Sequence, residues 1–368
     1  MLVQILAVGT AFRDEFHQIV MNFKFNSLFS SMLNLMGSIL MKRIIYLFML
    51  LFIIVTDSIG QDPTFSQFYA NSLYLSPSFA GATEEYRFSL NYRNQWPAVP
   101  GVFHTYSISF DMAMPNYNSG VGVLATYDVA GSGNLSTTNI GLLYSYDFQI
   151  NDQWHVRPGV NFKFYYLGLD IYKLVFNSQI TGSGTSPSVT PPPFDNVADV
   201  DFATSALVYN ENIWAGFTLD HLLKPSSSFY GNDATVPVKF NLYGGVQLLK
   251  KTRLRQKLQE VLSVAMNFQK QGKFYQSDIG LYYYKDPLIF GLWYRGIPLI
   301  TSQAGDAIIG LVGIKTNQIH IGYSYDFTIS NLISSTSGAH EISLIYEFNS
   351  LSIGQQRKRY KAIPCPEF

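Results

Sequence analysis

The chain has 368 residues, and its 25 basic and 25 acidic side chains give a formal net charge of +0, which excludes a global field for nucleic acid or another polyanion. Charged residues are 14% and aromatic residues 15%, with 25 Tyr and 28 Phe, whereas soluble domains carry about a quarter charged residues. The single cysteine, Cys365, excludes an intramolecular disulfide.

Met41, Lys42 and Arg43 precede an uncharged, breaker-free run from Ile44 to Val55, followed by Thr56, Asp57, Ser58, Ile59 and Gly60. A basic start, a short apolar core and small residues before a cut make a secretory signal over 41–60, cleaved between Gly60 and Gln61. The apolar run is too short to span a bilayer as a helix. With no cysteine at the cut, lipoprotein processing is excluded at this site. Residues 1–40 then precede a signal that should begin a protein. They read as a misassigned upstream start, with Met41 the initiator; the rival reading is a genuine extension whose 26–40 stretch forms an amphipathic or anchoring helix.

From residue 84 onward the hydrophobic period is two. Ile319, Ile321, Tyr323, Tyr325 and Phe327 fall on one face, with His320, Gly322, Ser324 and Asp326 on the other. Ile140, Leu142, Tyr144, Tyr146 and Phe148 oppose Gly141, Leu143, Ser145 and Asp147 in the same way. The pattern predicts an all-β chain: a transmembrane, antiparallel up-and-down barrel over 84–349, whose apolar face meets lipid and whose small and polar residues line the interior. Fourteen strands are predicted near 84–94, 102–112, 119–128, 134–149, 153–168, 199–210, 213–221, 236–248, 258–269, 273–284, 287–296, 305–315, 318–327 and 338–349.

Connections after even-numbered strands are mostly tight, as at Asn151-Asp152, Glu211-Asn212, Lys285-Asp286 and Thr316-Asn317. Those after odd-numbered strands are mostly longer: 169–198, 222–235, 297–304 and 328–337. Outer-membrane barrels have short periplasmic turns and long external loops, so the long connections are expected outside. Residues 61–83 are then expected as a periplasmic N-terminal segment and 350–368 as a basic periplasmic tail. The loop 169–198, with Pro191, Pro192 and Pro193, is neither regular helix nor sheet. It reads either as an external loop or as a plug folded into the lumen.

No catalytic constellation is present: there is no phosphate-binding glycine loop, no H-E-x-x-H and no G-x-S-x-G. His104 and His320 are expected as lumen or rim residues. Asp195, Asp199 and Asp201 lack the glycine and terminal glutamate of a calcium loop and read as a solvated loop margin. Cys365 reads as an ordinary tail residue, with a redox or attachment thiol as the rival. No metal or cofactor is expected. Two basic clusters, Lys250, Lys251, Arg253 and Arg255, and Arg357, Lys358, Arg359 and Lys361, fall on the periplasmic side. The second is the candidate docking surface for an acidic partner or the cell wall, set against the simpler reading of solvated charge.

The segment from Gln61 to Gly81, QDPTFSQFYANSLYLSPSFAG, resembles the N-terminal signature of the PorP/SprF family of type IX secretion outer-membrane proteins. Asn91 and Tyr92 with Arg93, Asn94, Gln95, Trp96 and Pro97 match a second family element, and Ile363, Pro364, Cys365 and Pro366 resemble the family's close. Ser76 and Ser78 around Pro77 depart from the Asn and Ala expected there. The resemblance implies a non-enzymatic protein of the bacterial outer membrane that serves secretion, gliding motility or surface anchoring of a large adhesin. Its implied partners are outer-membrane lipid, periplasmic secretion-machinery or peptidoglycan-binding subunits, and a secreted surface adhesin. The alternative is a passive or substrate-specific channel.

Overall fold

Alternation at a period of two lets a strand be apolar on one side and polar on the other, and this chain uses it throughout. The computed structural model describes residues 61–83, 86–174, 194–231, 233–252, 258–296, 307–316, 318–329, 336–348 and 363–364. Residues 1–60, most of the 169–198 loop, Arg253 and Arg255, the basic run Arg357, Lys358, Arg359 and Lys361, and Cys365 lie outside the described residues.

The strands are β1 (Tyr86–Gln95), β2 (Val102–Met114), β3 (Ser119–Gly131), β4 (Leu135–Tyr146, continued by Phe148–Gln149), β5 (His155–Gly168), β6 (Asn196–Tyr209) and β7 (Ile213–Asp220). They continue with β8 (Lys239–Thr252), β9 (Leu258–Gln271), β10 (Phe274–Lys285), β11 (Leu288–Arg295), β12 (Ala307–Lys315), β13 (Ile319–Thr328) and β14 (Ala339–Phe348). Each pairs antiparallel with its sequence neighbours, and β1 closes on β14 in a register running from Tyr86 opposite Phe348 to Gln95 opposite Ala339. The result is a closed, fourteen-stranded barrel, and each predicted strand corresponds to an observed one.

The faces fall as the alternation requires. Ile140, Leu142 and Tyr144 of β4 and Ile319, Ile321 and Tyr323 of β13 are exposed on the outer face. Leu143, Ser145, His320, Ser324 and Asp326 are buried on the inner one. Among the described residues, the long connection after β7 lies at one end of the barrel, and 115–118 and 210–212 lie at the other. Two hairpins depart from this sorting: β3 and β4 are joined at the long-loop end by 132–134, and β9 and β10 by Gly272 and Lys273 alone, where Gly272 supplies the left-handed φ of 58° that a tight turn needs.

The core lies in the lumen. Large side chains point inward among the small ones, led by Trp214, Trp293, Tyr209, Tyr243 and Ile309, and they cluster with Phe68, Tyr69, Leu73, Leu75 and Phe79 of the segment preceding β1. The sequence suggested a mostly small and polar lining; the inward aromatics are there because this segment gives them something to pack against. Residues 61–83, expected as a periplasmic segment, instead fill the barrel.

Candidate functional site: a plug held by the barrel wall

The plug begins at the long-loop mouth, where Asp62 meets the ends of β7, β8 and β9. It dips to Tyr69, whose hydroxyl accepts from Trp214 Nε1 at 3.1 Å, and turns back through the single-turn helix α1 (Ser72–Leu75). A 3₁₀ turn over Pro77–Phe79 follows, with Ser76 accepting from the Ser78 N–H as its cap. The chain leaves at the short-turn end through Ala80 and Gly81. Gly81 has φ +63° and packs on Gly120 so closely that a Cβ at Gly81 would lie 2.5 Å from the Gly120 Cα.

So little regular structure leaves many buried peptide groups in need of partners, and inward side chains of the wall supply them. At mid-lumen the Glu341 carboxylate accepts from the Ser66 and Gln67 N–H groups at 2.7 and 2.9 Å. Arg93 donates to Glu341, to Ser66 Oγ and to Asp326 at 3.1, 2.8 and 2.8 Å. Arg295 bridges Asp326 and Asp278 at 2.9 and 3.1 Å. Near the short-turn end Asp111 accepts from the Gly81 N–H at 2.8 Å while paired with Arg87 at 2.9 Å. Arg157 and Ser145 both donate to the Ala80 carbonyl, at 2.6 and 2.7 Å, and Thr218 donates to that of Leu75 at 3.1 Å.

At the mouth the contacts run mostly between side chains, and one backbone N–H, that of Asp62, donates to Gln271 Oε1 at 2.9 Å. Asp62 Oδ2 lies 2.9 Å from His221 Nε2 and 3.2 Å from Lys239 Nζ, and Gln271 exchanges two hydrogen bonds with Asp62. His221 Nδ1 lies 2.8 Å from Asp201, and Lys163 joins Asp201 to Asp220. Burial opposes the charge on both Asp62 and His221, but the opposite charges win. His221 and Lys239 hold the Asp62 carboxyl well below its usual range, and Asp62, Asp220 and Asp201 push His221 up to about 10. Asp62, Asp220 and His221 have the donor types of a cation site. However, Lys163 and Lys239 already bring ammonium groups to these carboxylates, so three acids face three cations without a metal.

Sequence-predicted residues separate accordingly. Asp201 is fully buried in this mouth network, because Lys163 and His221 compensate its charge; the solvated margin expected for it holds only for its neighbours, with Asp195 beside Asn196 and Asp199 accepting from the Ser226 N–H. His320 points into the lumen, whereas His104 faces outward with Nδ1 3.0 Å from the Tyr92 hydroxyl. Lys251 is exposed and pairs with Glu260 at 2.7 Å. Of the tail, Ile363 belongs to the lumen cluster and the Pro364 carbonyl accepts from Gln247 Nε2 at 2.9 Å. Sequence reasoning missed Glu341, Arg93, Arg295 and Asp111. The available signal was charged residues at inward positions of otherwise alternating strands, which cannot be left unpaired there.

Residues 57–346 match the family described as the type IX secretion system membrane protein PorP/SprF. The chain belongs to this family. The match spans plug and barrel together and makes the protein an outer-membrane component of that secretion system. Among the described residues no helix is long and apolar enough to cross a membrane; the strands do so. No curated protein matches the chain in sequence. Among solved structures it is similar to the Pseudomonas putida toluene transporter TodX, at 12% identity and a TM-score of 0.43, covering 75% of this chain and 93% of that one. It is also similar to the Acinetobacter baumannii outer membrane protein Omp33 (8% identity, TM-score 0.35, 72% and 99% covered) and to a KdgM porin (8%, 0.33, 72% and 99%).

Proposed function

We propose that this PorP/SprF protein is a closed, non-enzymatic scaffold of the type IX machinery rather than a channel. In this reading it holds a secreted surface adhesin at its long-loop end and meets periplasmic or peptidoglycan-binding subunits at its short-turn end, in support of surface display or gliding. The observation that carries the reading is the filled lumen. The plug is tied to the wall from mouth to base, and its aromatic residues pack edge-on against Trp293 and Trp214 with ring centroids 5.2 and 6.0 Å apart. A diffusive pore has no use for such a core.

The same reading takes Met41 as the initiator, 41–60 as the signal peptide, and Arg357, Lys358, Arg359 and Lys361 as the docking residues on the periplasmic side. Planar-bilayer recording tests the closed scaffold: the mature protein is expected to stay silent, and a stable open conductance would return the channel reading. Deleting 350–368 tests the docking residues. Barrel insertion is expected to survive while co-purification of periplasmic subunits falls, and unchanged co-purification removes the tail from that role.

A further inference from the structure

At the long-loop mouth, plug and wall together enclose a cavity of about 380 Å³. Arg93, Arg295 and Asp326 form its floor and are already paired with one another or with Glu341 and Asp278. Trp96 and Phe103, in edge contact at 5.7 Å, stand in its wall. Gln61 and Asp128 line it as well.

Asp128 lies on the inward face of β3, and its Oδ1 accepts from Thr105 Oγ1 at 2.6 Å. Among the described residues no Lys, Arg or His comes within ion-pair distance of it, although Asp62 nearby is fully matched by His221 and Lys239. The part-buried Asp128 carboxylate therefore stands without a counter-ion in a cavity partly walled by aromatic faces, a setting that favours a cation.

The course of the plug identifies one. Gln61 sits at the mouth, whereas β1, which it precedes, begins at the opposite end of the barrel. A signal peptide still joined to Gln61 would have to emerge through the long-loop end, away from the side on which signals are held and cut. The seated plug thus requires a free N-terminus. We propose that the mouth cavity is a binding site for a primary ammonium, and that the ammonium is the α-amine of Gln61 released by cleavage after Gly60. Asp128 is its counter-ion, and closure of the lumen is coupled to processing of the chain. The proposal rests on the cleavage site given above, and not on the adhesin or the machinery.

N-terminal labelling of the mature protein in detergent tests it, using an amine-selective reagent at pH 8 with mass spectrometry to locate the label. A paired α-amine titrates at least one unit above its ordinary value, so at pH 8 Gln61 is expected to label at least about fourfold more slowly than a glutaminyl peptide. Asp128→Asn should restore the peptide's rate and lower the labelling midpoint, and Asp128→Glu should keep it slow. Heat-modifiability on gels checks that each variant is a folded barrel. Labelling of the unsubstituted protein at the peptide's rate, an unchanged rate in Asp128→Asn, a terminus other than Gln61, or a terminus with no free amine would each overturn the proposal. None of these outcomes touches the bilayer and co-purification tests of the scaffold reading.

Discussion

At the base of the lumen Asp111, Arg157 and Ser145 hold the plug by its peptide groups, while at the mouth His221 and Lys239 hold it by the Asp62 side chain, with one peptide contact from Asp62 to Gln271 beside them. The first kind of contact is specified by the wall and tolerates almost any plug side chain that fits. The second is specified by the plug, and its ion pairs are lost with a single residue. Mid-lumen combines both, since Glu341 binds the Ser66 and Gln67 N–H groups while the Ser66 side chain donates to Asp326 and accepts from Arg93. The base and middle are therefore expected to seal, and the mouth to be the end that opens first.

Removing the plug altogether is the most severe way to break this comparison. Deletion of 61–82 should leave an inserted barrel that conducts in planar bilayers; a silent deletion variant would mean that something other than the plug closes the lumen. Next comes Glu341→Ala, which strips two plug amides and Arg93 of their acceptor and leaves buried charge uncompensated. A loss of about 3–5 kcal/mol is expected, read by urea unfolding followed by tryptophan fluorescence. Leu142, 67% exposed on the outer face, provides a control on the lipid side: Leu142→Arg should cost about 2–4 kcal/mol of barrel stability near the bilayer midplane. Protease resistance of the plug should not change in that variant. The smallest effect belongs to the mouth. Asp62→Asn should cost about 1 kcal/mol because the site is partly solvated, and it should show as faster clipping near Gln61 with the base still protected.

The titration of the mouth gives a further check. The pKa of His221 is raised on folding, to about 10, so its contribution is complete below its unfolded value near 6.5 and is lost as pH rises through about 10. The carboxyl of Asp62 is lowered, so its contribution is present above the usual carboxylate range and is lost only in strong acid. Protection of the N-terminal residues is therefore expected to be greatest from about pH 5 to 6.5 and to decline steadily from there through about pH 10. A level profile from about pH 6.5 to 10 would mean that His221 is not held between Asp62 and Asp201.

Sequence alone determined the wall. An alternation of two in Ile140–Phe148 and Ile319–Phe327 can place its apolar residues on only one side of a sheet, and lengths and turn residues then sufficed to locate all fourteen strands. It also identified the family, from the residues of the plug itself. Only the tertiary structure decided where that plug lies. The run from Gln61 to Gly81 has no period, and its partners lie as far as 276 residues away in the chain, with Gly81 30 residues from Asp111 and Gln67 276 from Ser343. Inward charges such as Glu341 and Asp201 looked like ordinary pore lining or loop margin because a single strand does not reveal what faces it across the lumen. Closing the barrel brings those strands around one segment, and the burial of charge then demands the pairings that hold it there.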